Sequence, residues 1–297
     1  MNRDVKVAII GMDTSHSVEF CRCMQGADCP ADLKVEGMRA VSCLRFLTPF
    51  CAEQTLDERQ EQLEKMGVKV TTAFDEAVSD CDALMLEITD PAYHLEYFSK
   101  CVDLGKPMFL DKPLADTLEN GRKICGLAMT KKARVFSASS LRFVPQFKTA
   151  CAAMPAPLYA GVYGPLKKPA SGGLIAWFGV HVIEMLQRAL GRGVSRVYTW
   201  KSFDGVVIMV EYGDDRRGIA ELSNGVHYWG GCLRNKEQVV PYVVDMTRAY
   251  TEELIEISSF FHGMPAPLDL EDTLEVMRIL DAAESSLRTG RAIALRS

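Results

Sequence analysis

Short apolar runs alternate with helical stretches through the first 139 residues, and no other feature narrows the fold as far. The runs are VKVAII (5–10), MRAVSCLRF (38–46), VKVT (68–71), DALMLEI (82–88), PMFLDKP (107–113) and ARVFSAS (133–139). Continuous β-branched and apolar runs of this length suit strands buried on both faces, as in a parallel sheet. Between them lie helical patterns at 17–25, 56–67, 74–80, 91–105 and 117–132. The fourth opens on Pro91 and closes on Gly105, the asymmetry expected of a helix with Pro in its first turn and Gly past its end. Repeated βα units predict a doubly wound α/β sheet, whose ligands bind at the carboxyl ends of the strands. Here those ends are 11–16, Arg45, 89–94 and 111–113.

The second half has another rhythm. A helical pattern at 172–191 precedes strand-like runs at 194–202, 205–213, 216–224 and 238–246, with turn signals at Gly213-Asp214-Asp215 and Asn224-Gly225. Helices near 248–261 and 270–288 close the chain. This predicts an α+β domain with an open, mostly antiparallel sheet. With a boundary near 138–145, the expected division is 1–138 and 139–297.

Totals exclude some classes. A net charge of −5 without a basic run argues against nucleic acid, and no apolar stretch is long enough for a membrane span. The apolar N-terminal run sits where a first strand belongs, so a cytoplasmic protein is expected. The ten cysteines include no C-x-x-C, and Cys21, Cys23 and Cys29 lack the spaced pairs of a zinc site. They are expected to be buried and reduced, and no metal ligand is assigned.

Three stretches carry candidate chemistry. After the first strand, Gly11-Met12-Asp13-Thr14-Ser15-His16 stands where a G-x-G-x-x-G loop would cradle a pyrophosphate. Asp13 and His16 replace the second and third glycines. Either Asp13 or Thr14 caps the following helix, or helix N–H groups hold phosphate with the Thr14 and Ser15 hydroxyls. GKPMFLDKPLADT (105–117) places Lys112 at the ligand edge, where it can donate to a substrate hydroxyl or a cofactor ribose. In the long helix, Trp177, His181 and Glu184 share one face, and a histidine there can serve as acid or base.

Together these stretches resemble the glucose–fructose oxidoreductase and inositol dehydrogenase (Gfo/Idh/MocA) family. Thr89–His94 (TDPAYH) is similar to its T-P-x-x-x-H loop, and Gly105–Ala115 to its G-K-x-V-x-x-E-K-P-L-A strand and turn. Gly172-Gly173, Gly179-Val180-His181 and Glu184 resemble its G-G…D-x-G-x-H-x-x-D helix, and Arg288–Arg291 its S-x-x-x-G-R ending. The resemblance implies an N-terminal Rossmann domain, a C-terminal substrate and oligomerisation domain, and NAD- or NADP-dependent hydride transfer on a sugar, cyclitol or related polyol. Lys112 would orient the reacting hydroxyl and His181 would be the acid–base group. Gly11, Asp13, Thr14, Ser15, His16, Arg45, Thr89, His94, Asp111 and Lys112 would meet the cofactor, and Trp177 and Glu184 the substrate. A homo-oligomer through the C-terminal sheet is implied.

The departures from that pattern are specific. Asp111 replaces the family Glu before Lys-Pro, and Trp177 replaces the Asp four residues before the helix histidine. No acid ends the second strand; Arg45 falls there, and an Arg can accommodate a 2′-phosphate, which leans the cofactor toward NADP. Two other functions follow from the same residues: a non-catalytic ligand-binding or regulatory protein, or a redox-assisted lyase or glycosidase holding NAD tightly. The aromatic turn NGVHYWGG (224–231) is expected either on a substrate or oligomer surface or as a hairpin tip packed on its own sheet.

Overall fold

A computed structural model describes residues 3–167 and 175–295. The paired glycines 172 and 173, and the start of the helix expected from 172, lie outside the described residues. The chain forms two compact units, Met1–Ser137 with Tyr250–Leu270, and Ala138–Ala249 with Glu271–Ser297.

The first unit alternates strand and helix: β1 (Val5–Ile10), α1 (His16–Gln25), β2 (Met38–Leu44), α2 (Glu53–Lys65), β3 (Lys69–Thr71), α3 (Phe74–Val78), β4 (Ala83–Leu86), α4 (His94–Cys101), β5 (Met108–Asp111), α5 (Leu118–Lys131) and β6 (Val135–Ala138). The sheet order is β3-β2-β1-β4-β5-β6, and β1 pairs in parallel with both β2 and β4. This is the doubly wound order, and it reverses at β1, so the ligand crevice falls beyond the ends of β1 and β4. Every residue of β4, β5 and β6 is buried, which explains why these strands read as unbroken apolar runs.

The same unit takes in a late segment. Tyr250 packs edge-on to Phe20 with ring centroids 5.6 Å apart, and Phe260 meets Phe136 at 5.1 Å. Arg134 donates to the carbonyls of Phe260 and Met264, and Thr251 to that of Leu33.

The second unit holds α6 (Pro145–Ala153), β7 (Tyr159–Pro165), α7 (Ala176–Leu190), β8 (Val194–Lys201), β9 (Gly205–Tyr212), β10 (Arg217–Ser223), β11 (Gly230–Arg234) and β12 (Val239–Val243). After α8 (Ala249–Phe261), which lies almost wholly in the first unit, come α9 (Leu270–Thr289) and β13 (Ile293–Ala294). The sheet order is β12-β11-β7-β10-β9-β8-β13. Its pairings are antiparallel except β10 with β7, so the sheet is mixed, as an open, mostly antiparallel sheet can be. Buried and part-exposed residues alternate along β7 and β9, the sign of one face turned to a core. That core gathers Val180, Ile183, Leu186, Ile208, Leu222, Ile279 and Leu280.

Strands β7 and β11 were not anticipated from the sequence. β11 begins within the aromatic turn, so Trp229 is buried there while Tyr228 stays exposed. Gly164 on β7 makes room for the indole: a Cβ at that position would lie 2.2 Å from the Trp229 ring.

Candidate functional site

At the crevice edge of the first unit, Gly11 has φ +97°, and a Cβ there would sit 2.7 Å from the Glu87 carbonyl oxygen. Packing of β1 against the end of β4 therefore requires this glycine.

Asp13 faces inward. Its carboxylate accepts hydrogen bonds from the Thr48 hydroxyl (2.7 Å) and the Thr89 N–H (2.8 Å), and its carbonyl accepts from the Thr89 hydroxyl (3.0 Å). One side chain thus ties together the loops after β1, β2 and β4. Burial pushes the Asp13 carboxyl up, and the bonds from Thr48 and Thr89 pull it partly back. Of the two residues expected to cap α1, Asp13 does not. Thr14 makes a local turn instead, accepting from the His16 N–H and holding the Ser17 hydroxyl on its carbonyl. Ser15 occupies the cap position of α1 without a side-chain capping bond, and its carbonyl accepts the Val18 and Glu19 N–H groups.

A second cluster lies beside this one. His16 Nδ1 is 2.8 Å from Asp111 Oδ2 but off the line of a hydrogen bond, and its ring stacks edge-on against Tyr250 at 5.2 Å. Asp111 Oδ1 accepts the Lys112 N–H at 2.8 Å, while the Lys112 ammonium stands 3.7 Å from Oδ2. Burial raises the Asp111 carboxyl, but His16 and Lys112 outweigh it and hold it well below the usual range. Glu87, fully buried, shares the cluster. Burial pushes its carboxyl far up, and the charges of Asp111 and Glu253 add to that. The sequence reading assigned Glu87 no role, although a carboxylate inside the apolar run 82–88 was the available signal.

Two other expected cofactor residues are engaged elsewhere in this unit. Arg45 binds Asp57 at 2.6 Å and Gln60 at 2.7 Å on α2. The buried His94 ring bridges the carbonyls of Ile88 and Leu114, joining the loops that follow β4 and β5.

In the second unit, His181 on α7 is half-buried, with Nδ1 2.6 Å from the Ser139 hydroxyl. Ser139 Oγ also accepts the Leu141 N–H, and its own proton can be donated to Nδ1. The Phe178 and Trp229 rings flank the imidazole at 6.0 and 5.2 Å. Trp177 is half-buried one turn before it. Glu184 is buried and takes Arg142 as its partner, with Nη1 to Oε2 at 2.9 Å, and Arg142 continues to Gln187 at 2.7 Å. Sequence reasoning missed Ser139 and Arg142, because nothing local links SASSLRF (137–143) to a helix some 40 residues on.

The sequence profile of the Gfo/Idh/MocA oxidoreductase family, described as an NAD-binding Rossmann fold, matches residues 38–139. The match begins after the altered loop. No curated protein matches by sequence. Among solved structures, myo-inositol 2-dehydrogenase from Lactobacillus plantarum aligns over 99% of this chain and 100% of its own, at 14% identity and a TM-score of 0.81. The scyllo-inositol dehydrogenase from Lactobacillus casei aligns over 98% of each chain at 14% identity and 0.80. GenD2 of gentamicin A biosynthesis, solved with NAD, aligns over 100% of this chain and 98% of its own at 15% identity and 0.79.

Proposed function

We propose that the chain is a member of the Gfo/Idh/MocA oxidoreductase family and an NAD(P)-dependent oxidoreductase of a sugar, cyclitol or related polyol, a reading supported by the family profile over residues 38–139 and by the shared fold. Lys112 carries the reading: an ammonium at the end of β5, on the ligand edge of a doubly wound sheet, only partly exposed and held near a buried carboxylate. The altered loop fits a dinucleotide. Asp13 spends its charge on Thr48 and Thr89, and the exposed Ser15 hydroxyl at the start of α1 would meet a phosphate there. A bound nicotinamide supplies the hydride acceptor or donor. Lys112 orients the substrate hydroxyl, and His181, held by Ser139, exchanges its proton. Support for the substrate class comes from the inositol dehydrogenases that share the fold.

One observation favours a second reading. Trp177 stands where the family has an Asp, and an indole accepts no proton. In this reading the protein binds a sugar-like ligand without transforming it, with the apolar ring against a sugar face.

Calorimetry with NAD⁺, NADH, NADP⁺ and NADPH on nucleotide-stripped protein comes first, then a polyol screen for nicotinamide reduction. Binding with turnover that K112A and H181A abolish supports the enzyme. Binding of a polyol without turnover supports the second reading. Failure of all four nucleotides to bind removes the dehydrogenase.

A further inference from the structure

We propose that His16, Glu87 and Asp111 form a binding site for one divalent transition-metal ion at the crevice edge of the first unit. The three residues come from the start of α1, the turn after β4 and the end of β5. One donor atom from each lies within 4.8 Å of the other two. A modest closing movement of the side chains would bring them around an ion at ordinary metal–ligand distances of about 2.0–2.2 Å.

Proximity of acids is not what carries this. Glu87 is 0% exposed, and neither of its carboxylate oxygens has a hydrogen-bond partner among the described residues. Buried carboxylates are normally paired, hydrogen-bonded, protonated or bound to metal. Glu87 has none of the first two, and it points into a cluster that already holds Asp111. The charged groups acting on Glu87 are Asp111, Glu253, Asp13 and Lys112. Three carboxylates and one ammonium act on Glu87, and the His16 imidazole beside Asp111 is the other group able to carry positive charge there.

The other two members are arranged to receive an ion. His16 Nδ1 and Asp111 Oδ2 face each other at 2.8 Å as an ion pair, and loss of the imidazole proton on metal binding would free both atoms to turn to the ion. The Lys112 ammonium, at 3.7 Å, lies beyond hydrogen-bonding reach of that oxygen. A set of one imidazole and two carboxylates suits zinc, manganese or iron(II) better than calcium or magnesium, and it lacks the thiolates that soft ions select.

The test needs neither nucleotide nor substrate, so its failure is separate from failure of the dehydrogenase reading. Full-length protein stripped with a chelator is titrated with Zn²⁺ or Mn²⁺ alone, in competition with a chromogenic chelator. One equivalent should bind, with a rise in melting temperature. H16A and E87Q should each weaken binding by about tenfold or more. E87Q keeps the shape of Glu87 and should melt no lower than stripped wild type. Co²⁺ loading should give visible bands without thiolate charge transfer, separating this site from Cys21, Cys23 and Cys29. Absence of stoichiometric binding, equal binding by E87Q and H16A, or a thiolate spectrum would overturn the proposal. The first two of these would leave Glu87 as a buried acid that keeps its proton.

Discussion

Asp13 should matter more to the fold of its loop than to any ligand, and two substitutions separate these roles. D13A removes the acceptor of two hydrogen bonds, from the Thr48 hydroxyl and the Thr89 N–H, and leaves both donors beside a buried gap. Bonds to a charged acceptor contribute about 1.5–3 kcal/mol each, so the gross loss is about 3–6 kcal/mol. Part of that is offset, because burial of the carboxylate itself costs free energy, as its raised pKa shows. A net loss of about 2–4 kcal/mol remains, or about 5–12 °C in melting temperature for a protein of this size class. D13N keeps a carbonyl oxygen for the Thr89 N–H, and the Thr48 hydroxyl can turn to accept from the amide, so it should lose only about 1 kcal/mol. Thermal unfolding gives the totals, and amide exchange at Thr89 reports the latch directly. D13N should also bind nucleotide at least as tightly as wild type, having shed a negative charge near the phosphate. If D13A melts with wild type and the Thr89 amide stays protected, Asp13 does not hold these loops together and the reasoning fails.

Breaking the buried Arg142–Glu184 pair with R142M should cost about 3–5 kcal/mol, whereas R142M/E184L should recover most of it, as chemical denaturation will show. The pair also sets a pH dependence. Burial raises the Glu184 carboxyl and Arg142 only partly restores it, so the folded state keeps a proton that the unfolded chain releases. Stability from this group is therefore greatest below the unfolded carboxylate pKa and declines as pH rises toward the folded one. R142M should steepen that decline and E184Q should abolish it; parallel pH profiles for all three proteins would refute the assignment. Arg45, if it reads a 2′-phosphate, must share its guanidinium with Asp57. R45A should then weaken NADPH binding by about tenfold while leaving NADH within about twofold, and equal losses for both would remove the lean to NADP.

The parallel sheet was legible because strands buried on both faces leave continuous apolar runs, and its turns carry Gly11, Gly67 and Gly105, each at positive φ. Strands β7 and β11 were not, since YAGVYGP and GGCLR spend glycines on close packing against Trp229, Tyr163 and neighbouring backbone where a sequence pattern looks for apolar side chains. Site residues divide in the same way. Lys112 and His181 sit in motifs with local spacing. Thr48, Glu87, Ser139 and Arg142 owe their roles to partners from 35 to 42 residues away or to a charge cluster that exists only once three strands lie side by side. The Trp177, His181 and Glu184 spacing placed all three on α7, but not the Arg142 guanidinium that Glu184 meets there.

The return of Tyr250–Leu270 to the first unit bears on how this protein is made. Ribosomes deliver about 5–20 residues per second, so the segment that covers Phe20 and Phe136 is completed roughly 7–27 s after Ser137 has been added. For that interval the nascent parallel sheet carries an uncovered aromatic face, a target for chaperones and a liability for aggregation. An expression fragment ending at residue 137 would make that interval permanent. The shortest piece with a complete first unit runs to residue 270 and brings most of the second unit along with it.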